Sequence, residues 1–211
     1  MSDVNALLEK LCPEGVEYKQ IKDFARSIFR GAGIKREQLC DKGIPCVRYG
    51  EIYTTYGLWF EKCVSHTSLD VISSPKWVEN GDILFAVTGE SVDEISKATA
   101  YVGEEKCLAG GDIVVLKHTQ NAKYLSYVLD SEMLKKQKRS GKVKSKVVHA
   151  SISSIEQLVV PIPPLEIQEA IVNVLDRYSD AKEKLIHELA LELDARKKQY
   201  EHYRDQILSF E

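Results

Sequence analysis

The sequence predicts an α+β protein, with a mixed α/β domain over residues 1–160 followed by one long C-terminal coiled-coil helix over 161–211. Three observations carry that reading. From Pro164 to Phe210, apolar or long amphipathic residues recur in alternating steps of three and four, the signature of a coiled-coil seam. Upstream, short apolar and β-branched runs are separated by glycine and asparagine turn signals. Between the two parts, Pro161, Pro163 and Pro164 force an extended backbone, and Pro164 suits a first helical turn.

The seam runs through Ile171, Leu175, Tyr178, Lys182, Leu185, Leu189, Leu193, Arg196, Tyr200, Tyr203, Ile207 and Phe210, with one stutter at Leu189. No Gly or Pro follows Pro164, so nothing breaks the run. A helix of about 45 residues extends roughly 68 Å. Its stripe must pack on another helix, either its own domain or a second chain. The length favours a second chain, with Ile171, Leu175, Tyr178, Leu185, Leu189, Leu193, Tyr200, Tyr203 and Ile207 as the partner face.

Taken in order, Val4 to Leu11 spaces its apolar residues as a short amphipathic helix closed by Pro13 and Gly15. Val16 to Ile21 alternates as a strand, and Ile21 to Phe29 suggests a short helix and a strand. Arg30 to Arg36 reads as a flexible basic loop; its lone G-x-G lacks the third glycine of a phosphate cradle and reads as a turn. Ile44 to Phe60 is aromatic and strand-like. Asn80-Gly81 marks a turn into an apolar strand over Asp82 to Val87, and Thr88-Gly89-Glu90 is a polar loop at its end. Lys97 to Val102 and Ala109 to Leu116 read as further strands, and Asn121 to Leu134 as a helix. That helix runs into a basic loop, followed by Val147 to Ile155 and a strand at Leu158 to Val160.

Composition narrows the class. Hydrophobic content of 44% and charged content of 29% exclude a disordered chain. The sequence has neither a membrane-length apolar run nor a basic and apolar leader, which reads as a cytoplasmic protein. Five scattered cysteines without a C-x-x-C pair read as reduced thiols, and no zinc spacing stands out. G-x-x-x-x-G-K-[ST], H-E-x-x-H and G-x-S-x-G are all absent, so the chain does not read as an enzyme.

The net charge of −3 hides two unlike parts. Eleven acids and seven bases lie from Leu165 onward, leaving +1 for the first 164 residues. Lys135, Lys136, Lys138, Arg139, Lys142, Lys144 and Lys146 fall within twelve residues with no acid among them. Such a run is either a solvated face or a loop that tracks a phosphate backbone. Arg48, Tyr49, Tyr53, Thr54, Thr55 and Tyr56 gather donors, acceptors and planar faces near two glycines; the tyrosines suit either a core or a groove.

Several blocks together carry a family resemblance. Leu7 to Tyr18 (LLEKLCPEGVEY) is similar to the start of the DNA-specificity (S) subunits of type I restriction-modification systems. Ile44-Pro45 with Val47 to Thr54, and Gly81 to Ala86 with Thr88 to Glu90, resemble two blocks of the family's recognition domain. Val160 to Gln168 (VPIPPLEIQ) resembles the exit into its long helix, and Ala195 to Arg204 the end of that helix.

The resemblance implies a target-recognition domain that reads half of a split DNA site, followed by a spacer helix. Family subunits carry two such domains and two helices, and this sequence holds one of each, without an internal repeat. It implies a half-subunit that pairs antiparallel with a second copy, a homodimer reading a symmetric bipartite target in double-stranded DNA. Arg30, Lys35, Arg36, Lys138, Arg139, Lys142, Lys144 and Lys146 are the candidate phosphate contacts. Arg48, Tyr49, Tyr53, Thr54, Thr88 and Glu90 are the candidate base or groove contacts. The expected partners are a modification (methyltransferase) subunit and, through the complex, a restriction subunit. S-adenosylmethionine and ATP would belong to those subunits, so no cofactor is expected here. A coiled-coil adaptor that binds only protein is the alternative from another class.

Overall fold

The computed structural model describes residues 2–89, 96–139 and 148–210; Glu90, Lys142, Lys144 and Lys146 lie outside them. The chain opens with helix α1 (Ser2–Leu11), strand β1 (Tyr18–Gln20), helix α2 (Ile21–Phe24) and strand β2 (Ser27–Arg30). There follow β3 (Leu39–Cys40), β4 (Ile44–Val47), helix α3 (Tyr49–Thr54), β5 (Trp59–Phe60), β6 (Ser65–Thr67) and β7 (Trp77–Val78). Next come β8 (Ile83–Ala86), β9 (Thr88–Gly89), β10 (Ala98–Tyr101), β11 (Cys107–Ala109) and β12 (Ile113–Lys117). Helices α4 (Ala122–Asp130) and α5 (Glu132–Arg139), strand β13 (Val148–His149), helix α6 (Ile152–Glu156), strand β14 (Val159–Pro161) and helix α7 (Leu165–Leu208) complete the chain.

Among the described residues the strands form two five-stranded sheets, ordered β2-β12-β8-β10-β5 and β3-β6-β4-β11-β7, with two-stranded ribbons β1-β14 and β9-β13. The apolar runs at β8 and β12 are continuous because the first sheet is covered on both faces. Ile83, Phe85, Val114 and Leu116 share one core with Leu125 and Leu129 of α4 and Val172 of α7. Leu84, Ala86, Ile113 and Val115 share a second core with Val47 and Ala109 of the other sheet and Ile52 of α3.

Two sequence expectations are corrected by this fold. Ile44 to Phe60 is a strand, a helix and a strand instead of one extended run. The helix forms because Glu51 stands at its third position, where its carboxylate accepts from the Arg48 N–H at 3.0 Å. Ile52 of the helix and Tyr56 just beyond its end then bury in the same core. The Arg30 to Arg36 segment is not a loose loop either. Gly31 and Ala32 donate to the carbonyls of Ile113 and Ala109, each at 2.8 Å. A Cβ at Gly31 would collide with the Gly110 carbonyl, so the glycine serves a close chain crossing.

Helix α7 begins beside Pro164, as expected, and runs for 44 residues. Ile167, Gln168 and Val172 are buried in the domain, and Ile171 packs on its core. Leu175 is half-buried, whereas residues 181–210 are exposed throughout. The helix therefore leaves its own domain, and the exposed stripe begins at Tyr178, with Ile171 turned inward. No described helix is long and apolar enough to cross a membrane.

Candidate nucleic-acid interface

Three chain segments meet in an open groove of about 620 Å³. Gly33 to Arg36 form one side, Arg48 to Glu51 with Thr54 and Thr55 form the other, and Gly110, Gly111 and Asp112 close the end. The sequence places glycine wherever two backbones cross here, since a Cβ on Gly111 would press on the Gly33 backbone at 3.2 Å. The turn after Lys35 is braced: the Lys35 N–H donates to Gln38 Oε1 at 2.8 Å, and Gln38 Nε2 donates to the Val71 carbonyl at 3.1 Å. Lys35 and Arg36 are exposed on that turn.

Arg48 is aimed by Glu51. The carboxylate is 5% exposed, accepts from Arg48 Nε at 2.8 Å, and also accepts from Ser65 Oγ at 2.5 Å. A guanidinium carries four N–H donors besides Nε, so the bond orients Arg48 while leaving donors for a ligand. Arg30 lies next to the groove's end, donating through Nε to the Gly111 carbonyl at 2.7 Å and pairing with Asp112 at 2.5 Å. Tyr49 is 42% exposed and lines the groove. Thr54 Oγ1 donates to the Gly50 carbonyl at 3.0 Å and meets Thr55 Oγ1 at 3.2 Å.

The structure thus brings together Lys35, Arg36, Arg48, Tyr49 and Thr54, with Arg30 adjoining. It separates Tyr53 and Thr88 from them. Tyr53 is half-buried, and its hydroxyl is 3.1 Å from the Thr88 carbonyl and 3.3 Å from the Ala86 carbonyl. Thr88 lies in the β9-β13 ribbon, paired with His149. Lys138 is buried; its ammonium donates to the Leu129 carbonyl at 2.8 Å and so closes the end of α4. Arg139 pairs with Glu132 at 3.4 Å. Both belong to helix α5, where the sequence suggested a loop.

Sequence reasoning singled out Thr55 with its neighbours but missed Glu51, Val64 and the Gly110-Gly111 end of the groove. Nothing in the string marked Glu51, because Arg48 at the cap position is not one of the usual capping residues. Among the described residues no three His, Cys, Asp or Glu side chains cluster so as to hold a metal ion.

A family model for the type I restriction modification DNA specificity domain matches residues 13–195. The chain belongs to this family. A curated relative, the specificity subunit of the type I restriction enzyme EcoR124I/EcoR124II of Escherichia coli, is 46% identical over 66 residues, which are 28% of this chain and 15% of that one. The S subunit of the M. genitalium type I restriction-modification system superposes with a TM-score of 0.51 at 15% identity, covering 93% of this chain and 47% of that one. A structure described as concerning complex assembly and conformational transition of the type I system gives 0.62 at 17% identity, covering 95% and 50%. The HsdS subunit of Thermoanaerobacter tengcongensis gives 0.56 at 17% identity, covering 85% and 44%. At these identities the likeness is one of fold. The chain spans about half the length of these solved structures. In the groove exposed cations, a tyrosine and hydroxyls converge on close-packed backbone.

Proposed function

We propose that this chain is a non-catalytic DNA-specificity half-subunit of a type I restriction-modification complex. Its recognition domain, residues 1–160, reads one half-site, and its spacer helix, residues 161–211, pairs with that of a second copy to read a symmetric bipartite target. The observation that carries this reading is the groove, where Lys35, Arg36 and Arg48 stand beside Tyr49 and Thr54. Cations there suit phosphates, while Arg48, Tyr49 and Thr54 suit base edges. Arg30, Arg139, Lys142, Lys144 and Lys146 extend the phosphate contacts, and Tyr53, Thr88 and Glu90 are further candidate base contacts.

The exposed stripe from Tyr178 to Ile207 supports the pairing, since an isolated helix of this length leaves its apolar side in water. Two recognition domains on a two-fold axis read an inverted repeat with an unread middle. A modification subunit docked on the helices supplies methyl transfer, and a restriction subunit joins through it. Selection of bound duplexes from a random library by the chain with its modification subunit tests the reading. The expected outcome is an inverted repeat with a fixed, unspecified spacer. No enrichment, together with no mobility shift on random duplex at low salt, would leave a protein-only adaptor instead.

A further inference from the structure

Two side chains eight residues apart fasten the root of α7 to α4. Gln168 is completely buried. Its Oε1 accepts from the Asn121 N–H at 3.0 Å, and its Nε2 donates to Gln120 Oε1 at 2.7 Å and to the Pro163 carbonyl at 2.8 Å. Asn121 is itself the cap of α4, its side chain accepting from the Tyr124 N–H at 3.0 Å. One side-chain amide therefore joins the starts of two helices. Two turns further along α7, Asp176 accepts from Lys123 Nζ at 3.0 Å and from the Tyr127 hydroxyl at 2.8 Å. Lys123 and Tyr127 lie four apart on α4, so the second fastening grips the same helix one turn in.

Helix α4 is equally tied to the sheet beneath. Leu125 and Leu129 share its core with Ile83 and Phe85, and the Tyr124 hydroxyl donates to the Pro161 carbonyl at 3.0 Å. Lys123 Nζ lies 4.5 Å from the centre of the Trp59 ring, which meets Tyr127 edge-on at 5.4 Å. Apolar packing at Ile171 and Val172 holds the helix down but lets it slide and tilt; directional bonds on both sides of those residues fix its register and crossing angle. The lever is long. The arm beyond Asp176 extends about 48 Å, so a tilt of about 10° at the elbow moves the tip by roughly 8 Å, near a quarter of a duplex turn.

We infer that Gln168 and Asp176 are positioning residues that set the separation between half-sites, by locking the angle between recognition domain and spacer helix. This rests on the proposed pairing of two readers. Neither residue touches the groove.

The elbow is tested without DNA by pulsed EPR. Spin labels carried by unnatural amino acids replace exposed Glu37 and Glu188, and labelled chain is diluted into unlabelled chain so that only distances within one chain are read. The native elbow gives one narrow distance distribution. Gln168→Ala and Asp176→Ala broaden it, and Asp176→Asn, which keeps an acceptor, restores it; equal widths in all four overturn the elbow. Asp176→Ala replaces a partly exposed carboxylate and keeps the test open if Gln168→Ala fails to fold. The measuring role is tested on duplexes holding two selected half-sites at stepped spacers. Native chain discriminates between spacers, and Asp176→Ala loses that discrimination while binding a single half-site as before. Retained discrimination beside a broadened distance overturns the measuring role. Native chain that binds every spacer alike overturns the two-reader function itself, and the label widths still judge the elbow.

Discussion

The buried carboxylate of Glu51 accepts from both the backbone N–H and the side-chain Nε of Arg48, at 3.0 and 2.8 Å, so one acid starts helix α3 and aims the arginine on the groove. Arg48 is thereby held to a defined direction before any ligand arrives. Glu51→Ala leaves the Arg48 N–H and Ser65 hydroxyl without their acceptor and is expected to lower stability by about 1–3 kcal/mol. A urea midpoint that falls by that amount, with a matching loss of duplex affinity, is the result to look for.

Lys35 and Arg36 give the opposite signature. Both are exposed on a turn that is braced by Gln38, so their side chains contribute little to folding. Replacing both by Ala should leave the urea midpoint unchanged. The slope of log affinity against log salt should flatten by roughly 0.9 for each phosphate that is no longer neutralised. An unaltered slope would remove the turn from the interface.

Lys138 separates charge from location. It sits in a run of bases, yet its ammonium is buried against the Leu129 carbonyl at the end of α4. Lys138→Met keeps the stem and loses the bond, with an expected cost of about 1–3 kcal/mol from the stranded carbonyl. Its salt slope on duplex should match that of the unchanged chain, which titrations at several salt concentrations measure directly.

These residues show what one dimension of sequence carries. The long helix was legible because its seam repeats locally and no breaker interrupts it. The strands β8 and β12 were legible as apolar runs, although two-sided burial left no alternation to give their facing. Helix α3 was hidden by its aromatic and β-branched content; a single acid at its third position and the burial of Ile52 overrode that propensity. The groove was half legible. Its cations and Tyr49 could be named, but its end is built by residues about eighty positions away, as where Arg30 grips Gly111 and Asp112. Lys138 shows the limit of a charge run, since solvent-facing and inward lysines look alike in a string of letters.

Acid should loosen the connector that leads into α4. His118 accepts from the Gln120 N–H through Nδ1 at 3.0 Å, and its Nε2 is buried without a partner. Burial, the largest cause, lowers its pKa from 6.5 to about 4. The folded state therefore holds a neutral imidazole where the unfolded chain binds a proton, so stability falls as pH drops from about 6.5 to about 4 and levels off below that. The loss is on the order of 3 kcal/mol. His118→Asn offers an amide oxygen in place of Nδ1 and cannot titrate. Urea midpoints measured across that window should decline less steeply for the variant than for the unchanged chain.

The exposed stripe of α7 distinguishes pairing from mere hydrophobicity. Leu185, Leu189 and Leu193 are each more than half exposed and fall on the seam, whereas Leu191, 60% exposed, lies two residues from Leu189 and so roughly 200° around the helix. Lysine at both Leu185 and Leu189 puts two charges into a packed seam, which knobs-into-holes packing does not accommodate, and should give monomers. Lysine at Leu191 adds the same kind of charge to the far side and should leave the dimer intact. Sedimentation of the three proteins reads the outcome. Dimers with the doubly substituted seam would show that association does not run along this stripe, and monomers with Leu191→Lys alone would place the pairing surface on the opposite side of the helix.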